Sequence, residues 1–134
     1  PLVTQAVRYM RLYFNNKITL SELCRHCNSS PQHLIRLFKS EFKQTPIEFL
    51  TNIRLGVAKE MMLHSNLAFK EIAGEVGIDN PLYFSRIFKQ YEGISPREYR
   101  NRYQKQWKGQ ACFSPGPDNR IIVNILLFWQ NPTS

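Results

Sequence analysis

The chain has 134 residues, enough for one compact core or for two small cores that share a connector. It carries 18 Lys and Arg against 10 Asp and Glu, and the net charge of +8 suits a polyanionic partner. Three cysteines give no even-numbered disulfide framework, and the sequence has neither a signal peptide nor an apolar run of membrane-spanning length, so we expect a cytoplasmic protein rather than a secreted or membrane one.

Seven helices are predicted from apolar spacing and from the residues that cap helix ends, so the expected fold class is all-α. The first has Val3, Ala6, Val7 and Met10 at helical spacing, which predicts one buried face. The fourth is the longest and would span roughly 28 Å. The predicted helices lie at about residues 2–14, 19–27, 31–42, 46–64, 69–76, 81–91 and 96–105.

Hydroxyl and amide residues mark the helix starts. The segments Thr19–Glu22, Thr45–Glu48 and Ser95–Glu98 have capping-box spacing, in which a hydroxyl and a carboxylate three residues later satisfy each other's backbone amides. Ser30–Pro31 and Asn80–Pro81 place a capping residue before a proline, which has no N–H to satisfy at the first helical position. These signals predict where five of the helices begin.

The second to fourth helices are repeated by the fifth to seventh. Glu22 aligns with Glu71 and Arg36 with Arg86, so the offset rises from 49 to 50 and the second turn is one residue longer. Each copy spells a helix-turn-helix, a unit whose second helix enters a DNA major groove. Two copies predict a protein that binds two stretches of DNA, with the fourth helix as the connector that sets the distance between the two DNA-reading helices.

Four positions govern how well the turns and caps of the two copies form. Asn28 and Gly77 each follow a helix, and both residue types tolerate the left-handed backbone expected there. Lys43 stands where the second copy has glycine, and a left-handed lysine would cost about 1–2 kcal/mol. Ala68 stands at a helix start without a capping hydroxyl, which would cost about 1 kcal/mol.

The chain resembles the DNA-binding domain of the AraC/XylS family of bacterial transcription regulators over about residues 2–104. The residues that carry the resemblance are Arg54, Leu55, Ala58, Met61, Met62, Glu71, Ile72, Ala73, Val76, Gly77, Tyr83, Phe84, Ser85, Arg86, Phe88, Lys89, Gly93, Ser95, Pro96, Tyr99 and Arg100. The resemblance implies two helix-turn-helix units joined by a long helix, binding to double-stranded promoter DNA, and activation through RNA polymerase. It also implies a separate upstream sensing or dimerisation domain, which fits a chain that begins without Met.

Positions on the third and sixth helices are the candidates for DNA base contact. Helical spacing puts Leu34 and Phe38 inside, and it leaves the side chains one or two positions away outside. The resemblance implies base-edge contact at most of these outer positions. The base-contact candidates are Gln32, His33, Ile35, Arg36, Pro81, Leu82, Tyr83 and Arg86.

The candidates on the third helix and those on the sixth helix differ in chemistry. Gln32 can pair with adenine, and Arg36 or Arg86 can pair with guanine, although a phosphate contact or an intramolecular ion pair is the alternative for both arginines. Pro81 and Leu82 have no side-chain donors, so the sixth helix is expected to touch thymine methyl groups. We therefore predict a sharper sequence preference in the half-site under the third helix.

Phosphate anchoring is expected from helix N-termini and from basic or hydroxyl side chains. For the three arginines of the last predicted helix, a solvated face is the alternative. Arg54 is expected to play a structural hydrogen-bonding role, and Tyr99 to lie in the core with its hydroxyl at the rim. The phosphate-contact candidates are Ser30, Lys39, Ser85, Lys89, Arg97, Arg100 and Arg102.

The C-x-x-C spacing of Cys24 and Cys27 raises the alternative of a metal or redox site. The repeat aligns these cysteines with Ala73 and Val76, which are core positions, so buried thiols are expected and no metal or cofactor is predicted. No Gly-rich phosphate loop, paired carboxylates or nucleophile–His–acid arrangement is found, so the chain is not expected to be an enzyme.

The tail has no counterpart in the resemblance. Residues 121–129 are almost wholly apolar, too short to span a bilayer as a helix and prone to β pairing. The segment could dock on the body, pair with another chain, touch a membrane surface or be a non-native extension. The expected domains are a first subdomain at 1–45, a connecting helix at 46–64, a second subdomain at 65–106 and a tail at 107–134.

Overall fold

The computed structural model of the chain describes residues 1–104, and all of its regular elements over this range are helices. The seven predicted helices are found, each with bounds within about two residues of those expected, so the all-α prediction is confirmed here. The tail at 107–134 lies outside the described residues. The helices are α1 (Leu2–Tyr13), α2 (Leu20–Cys27), α3 (Pro31–Phe42), α4 (Pro46–His64), α5 (Phe69–Glu75), α6 (Pro81–Glu92) and α7 (Pro96–Tyr103).

The chain divides into two compact units within α4, the first ending at Arg54 and the second beginning at Leu55. In the first unit α1 packs on α2 and α3, which also pack on each other. On the predicted face, Ala6 and Met10 are buried and Val3 and Val7 are half-buried, and Phe14 just after the helix is buried as well. The apolar spacing of the first helix thus predicted the buried face correctly.

Three phenylalanines hold the start of α4 against α3 in the first unit. The Phe38 ring is fully buried, and its centroid lies 5.4 Å from that of Phe42 and 5.5 Å from that of Phe49. The Phe42 and Phe49 rings are 4.7 Å apart. Tilted and edge-on arrangements at these separations are favourable for aromatic pairs, so the outer face of α3 has a rigid base.

In the second unit α6 packs on α5 and α7. Phe84 and Phe88 are fully buried, and the Tyr99 ring meets Phe88 edge-on at 5.6 Å. Burial, with smaller effects from Glu92 and Glu60, raises the pKa of the Tyr99 hydroxyl. Tyr99 as a whole is half-buried, so its ring packs on the core without being fully enclosed by it.

The helix starts are capped as the sequence predicted. The Thr45 hydroxyl accepts from the Glu48 amide at 3.1 Å, and the Glu48 carboxylate accepts from the Thr45 amide at 3.0 Å, a complete capping box. The hydroxyls of Thr19 and Ser95 accept from the amide three residues later, so the hydroxyl half of the predicted capping box forms at these two helix starts. Ala68 begins α5 without a side-chain cap, as expected.

The turn inside each helix-turn-helix closes in the same way. Asn28 and Gly77 have φ values of 52° and 86°, and both lie in the predicted left-handed region. The next residue in each copy donates its amide five residues back, Ser29 to Cys24 at 2.9 Å and Ile78 to Ala73 at 2.8 Å. Since α3 and α6 then start at Pro31 and Pro81, the extra residue of the second copy is inserted after this shared turn.

A lysine adopts the left-handed conformation at the end of α3. Lys43 has a φ of 61° where the equivalent Gly93 at the end of α6 has a φ of 87°. A non-glycine residue in this region is strained, so the strain predicted for Lys43 is present in the structure.

Candidate nucleic-acid interface

The exposed face of α3 carries the base-contact candidates of the first unit. Gln32, His33 and Arg36 are exposed and Ile35 is half-buried, while Leu34 on the opposite side is fully buried. Ser30 caps the helix, because its hydroxyl accepts the amide of His33 at 3.2 Å. Hydrogen-bonding side chains one turn apart can reach the edges of neighbouring bases.

The exposed face of α6 carries the equivalent set in the second unit but is more apolar. Leu82 is 80% exposed and Tyr83 is 47% exposed, while Pro81 is half-buried and Arg86 is exposed. The Arg86 guanidinium lies 5.9 Å from the centroid of the Tyr83 ring. A cation at this distance from an aromatic face is attracted to it, which restricts the directions that Arg86 can take.

Most of the predicted phosphate contacts are accessible. Lys39 and Lys89 lie one turn beyond Arg36 and Arg86 on the same helix faces. Both lysines and both arginines are exposed, so each face carries positive charge. The accessible members of this set are Ser30, Lys39, Ser85, Lys89, Arg97 and Arg102.

Arg100 departs from the sequence-based expectation of a phosphate contact. Its guanidinium donates to three main-chain oxygens, those of Met62 at 3.1 Å, Leu67 at 2.7 Å and Ser65 at 3.4 Å. It also lies 4.8 Å from the centroid of the Phe69 ring, and burial lowers its pKa. Since its donors already serve the end of α4 and the following loop, Arg100 holds the second unit together and is not an outward anchor.

Arg54 takes the structural role that the sequence predicted for it. Its Nε donates to the carbonyl oxygen of Phe14 and its Nη2 to that of Asn16, each at 2.9 Å. Gln104, at the equivalent place in the second copy, donates to the carbonyl oxygens of Met62 and Ser65, each at 3.2 Å. In each unit, a side chain located after the helix-turn-helix thus donates to carbonyl oxygens at the end of the helix that comes before the helix-turn-helix.

Two exposed polar residues extend the candidate faces beyond the predicted set. Ser40 and Gln90 are exposed one turn after Arg36 and Arg86. The sequence contained the signal for them, since they continue the same spacing of four residues on the outer side of each helix. They widen the polar surface that each face presents.

Cys24 and Cys27 lie inside the first unit, as the alignment of the two copies predicted. Burial, with a smaller effect from Cys24, raises the pKa of the Cys27 thiol, and a protonated thiol is a poor nucleophile and metal ligand. Within the described part of the chain no three His, Cys, Asp or Glu side chains are grouped as metal ligands would be. No helix within residues 1–104 is long and apolar enough to cross a membrane.

Comparison with known sequences places the repeat in a described family. The family model "Helix-turn-helix domain" matches residues 23–102. The raffinose operon transcriptional regulatory protein RafR of Pediococcus pentosaceus is 37% identical over 95 residues, which cover 71% of this chain and 34% of that protein. The lactose operon transcription activator of Staphylococcus xylosus is 31% identical over 101 residues, covering 75% and 36%. The chain spans about a third of the length of these curated relatives.

Solved structures agree with this placement. The C-terminal domain of AraT, a response regulator from Geobacillus stearothermophilus, is 34% identical with a TM-score of 0.73, and the match covers 89% of this chain and 93% of that domain. The DNA-binding domain of AdpA, a global transcriptional factor solved in complex with a target DNA, has a TM-score of 0.74 and covers 80% of this chain and 96% of that domain. At 21% identity this second likeness shows the fold alone.

Proposed function

This chain belongs to the AraC-type helix-turn-helix family of transcription regulators, and from that premise we propose that it is a sequence-specific double-stranded DNA-binding domain. In this proposal α3 and α6 enter successive major grooves of a promoter. Adjacent major-groove faces on one side of DNA are about 34 Å apart, and α4 supplies the rod between the two copies.

The observation that carries the proposal is that both copies present the same row of positions to solvent. Arg36 and Lys39 on α3 are exposed at the places where Arg86 and Lys89 are exposed on α6. Each row lies over a buried phenylalanine pair or cluster that fixes the helix, so the outer side chains are held on rigid elements. Rigid helices with outward cations suit groove entry and phosphate neutralisation.

The chemistry of the side chains suggests how the contacts divide. We assign Gln32 to adenine and the arginines of the two rows to guanine, with His33, Ile35 and Tyr83 beside them at the base edges. The accessible cations and hydroxyls at the ends of the rows would hold the phosphates. The domain organisation is proposed as subdomains at 1–45 and 65–106 joined by the helix at 46–64.

For the longer protein that this chain resembles, the proposal goes further. The relative that is named a lactose operon transcription activator supports activation, which would involve RNA polymerase. Because the curated relatives are about three times longer, we propose that the longer protein has a sensing or dimerisation domain upstream. We also propose a cytoplasmic location, as expected of a bacterial DNA-binding regulator. The residues described here suit binding, and we propose that the domain does no catalysis of its own.

Selection from a random pool of duplex DNA tests the proposal. The chain is incubated with the pool at moderate salt, bound molecules are amplified, and the enriched site is footprinted. We expect a site with two half-sites about one helical turn apart, protected by a single chain. Protection of only one half-site, or enrichment of no sequence, would contradict the proposal.

Salt dependence separates phosphate anchors from base contacts. Lys39→Ala and Lys89→Ala should weaken binding to all sequences alike and reduce the slope of log K against log salt by about 1 each. Lys59→Ala is the matched control, because Lys59 is paired with Glu92 at 3.0 Å and should leave the slope unchanged. An unchanged slope in the Lys39 and Lys89 variants would remove these residues from the interface.

A further inference from the structure

The outer side of α1 and the end of α2 form an open groove of about 610 Å³, the α1–α2 groove. Two large apolar side chains that line it are widely accessible to solvent, since Leu12 is 50% exposed and Tyr13 is 46% exposed. They belong to neither of the helices that are proposed to enter DNA. An exposed apolar surface bordered by polar groups is typical of an interaction site, so the groove calls for a partner.

The α1–α2 groove is aromatic along its length and basic at its border. The Tyr9 ring centroid lies 4.9 Å from that of Tyr13 and 4.4 Å from that of His26, so one row of rings joins the two helices. Arg8 lines the groove and is exposed, and Arg25 is exposed next to His26 on α2. None of the described residues that line the groove is acidic. A partner that fits it therefore supplies negative charge.

The helix that repeats α2 in the second unit has the opposite charge on its outer side. The offset of 49 residues matches Arg25 with Gly74 and His26 with Glu75. Glu71 and Glu75 are exposed four positions apart on α5, and Gly74 is exposed beside them; these three residues form the α5 face. Neither Arg25 nor Glu75 has an ion pair among the described residues. The two faces are therefore complementary in charge, and both are accessible.

Two residues of the α5 face weaken the helix that carries them. Gly74 disfavours a helix relative to alanine, and a β-carbon there would meet nothing within 4 Å, so packing inside the chain does not require the glycine. Glu75 puts a negative charge in the last turn, where the helix dipole favours a cation and where α2 has Arg25 and His26. Residues that oppose the local structure in this way are expected at functional positions. A glycine on an exposed face lets another molecule approach the backbone closely.

We propose that the α5 face of one chain binds the α1–α2 groove of a second chain when the two chains occupy neighbouring sites on DNA. In this contact Glu75 faces Arg25 of the second chain, and Gly74 leaves room for the aromatic rings of the groove. The inference rests on the proposed function, since it places both chains on one duplex. Because the two contacting faces differ, each pair of chains leaves one groove and one α5 face free, and further chains can add in the same direction.

The strength of the contact decides where it can be observed. Ion pairs between exposed side chains are weak, so the chain is expected to be monomeric in solution. Neighbouring sites on one duplex raise the effective concentration of the second chain to about the millimolar range, where a weak contact becomes occupied. The contact should therefore be seen as cooperative binding to DNA.

Duplexes with one or two sites test the inference. The site is the sequence enriched by the wild-type chain from the random pool, present once, or twice in the same orientation with a spacer lengthened one base pair at a time through a full helical turn. Gel-shift titration measures the affinity of the first and second chains. At the best spacer we expect the second chain to bind about tenfold more tightly than the first, a factor typical of coupled sites. The factor should fall when the spacer changes by about half a turn, roughly 5 base pairs, which rotates one chain to the other side of the duplex.

A charge swap makes the result specific to the two faces. Arg25→Glu and Glu75→Arg should each abolish the cooperativity, and the chain that carries both changes should regain it, because every contact then has its charges exchanged. This double variant has the net charge of the parent and is the matched control for general charge effects. The one-site duplex measures the affinity of each variant for DNA alone.

Gly74→Leu separates loss of the contact from loss of the fold. It fills the open space beside the α5 face and should abolish the cooperativity, while leucine favours the helix and should raise the thermal midpoint of unfolding. Gly74→Ala should raise the midpoint as well and retain more of the cooperativity, because its side chain is smaller.

The outcomes separate the inference from the proposed function. If the chain binds the one-site duplex specifically but shows no cooperativity at any spacer, the inference is wrong and the proposed function stands. The same holds if the cooperativity persists in both single charge variants, since the groove then has another occupant. If the pool yields no enriched sequence at moderate salt, the proposed function fails and the inference fails with it.

Discussion

The Nε of Arg54 donates to the carbonyl oxygen of Phe14 at 2.9 Å, so that a side chain of α4 closes the end of α1. The same guanidinium reaches the carbonyl oxygen of Asn16 through Nη2. The last carbonyl groups of a helix have no partner within it, and partners supplied by another element stabilise the end. This contact joins residues that are 40 positions apart and fixes the loop that leads into α2.

Removing this contact should destabilise the chain. Arg54→Ala is expected to lower the free energy of unfolding by about 1.5–3 kcal/mol, the range for hydrogen bonds to a charged group. Arg54→Gln should recover part of this loss, because the glutamine side chain of Gln104 makes an equivalent hydrogen bond to a main-chain carbonyl oxygen in the second unit. Urea unfolding measures both, and equal losses in the two variants would contradict this account.

Replacing Lys43 by glycine should stabilise the chain by about 1 kcal/mol, since glycine accepts the left-handed backbone without strain. The matched substitution is Gly93→Ala, expected to cost about 1 kcal/mol. A β-carbon there would meet nothing within 4 Å, so any loss would report the backbone alone. Thermal unfolding should show that Lys43→Gly is more stable and Gly93→Ala less stable than the parent chain. A lower stability of Lys43→Gly would contradict the prediction.

A cap introduced at the start of α5 should also stabilise the chain. Ala68 has the extended backbone of a capping residue but no side-chain acceptor, and Ala68→Ser is expected to add about 1 kcal/mol. Thr19→Ala removes the equivalent cap from α2 and should cost about the same. If Ala68→Ser has no effect on the urea midpoint, the free backbone amides at the start of α5 already have other hydrogen-bond partners.

Stability should decrease in acid through Glu48. Hydrogen bonds from the Thr45 amide and hydroxyl, with a smaller effect of Lys39, hold the pKa of Glu48 below its ordinary value of 4.5. Because the folded pKa is the lower one, the contribution of the ionised carboxylate is present above 4.5 and is lost as pH falls through the folded pKa.

Glu48→Gln should therefore unfold more readily than the parent near neutral pH, and the difference should shrink as the pH falls below 4.5. Urea unfolding at pH steps from about 6 to about 3 measures this difference. Glu41→Gln removes a carboxylate from α3 instead and serves as the charge control. A difference that stays constant across these steps would contradict the prediction.

Arg86→Ala should cost about 1–3 kcal/mol of binding free energy and relax the preference at one base pair if Arg86 contacts a guanine. A uniform loss across sequences would place it on a phosphate instead. Tyr83→Leu removes the ring that lies 5.9 Å from the guanidinium, and it should weaken the same preference by a smaller amount. Tyr83→Phe keeps the ring and is the matched control.

The helix boundaries could be predicted from the sequence because each is marked locally. A capping hydroxyl such as that of Thr45, or a left-handed residue such as Asn28, acts on amides only a few positions away. The buried faces followed from helical spacing for the same reason. These features depend on near neighbours in the chain, which a sequence displays directly.

The role of Arg100 could not be predicted in this way. An arginine on a short basic helix is typical of a phosphate contact, and its actual partners lie 33 to 38 residues earlier in the chain. The structural role of Arg54 could be predicted, because helical spacing places it on or beside the buried side of α4. The capping role of Asn80, by contrast, could be predicted, because its side-chain oxygen accepts amides only two and three residues away.

The boundary between the two units falls inside a single helix, so α4 belongs to both. Its first half follows α3 as α7 follows α6, and its second half precedes α5 as α1 precedes α2. One repeated set of three helices, from α2 to the first part of α4, thus accounts for α5 to α7, and α4 is shared by the two sets.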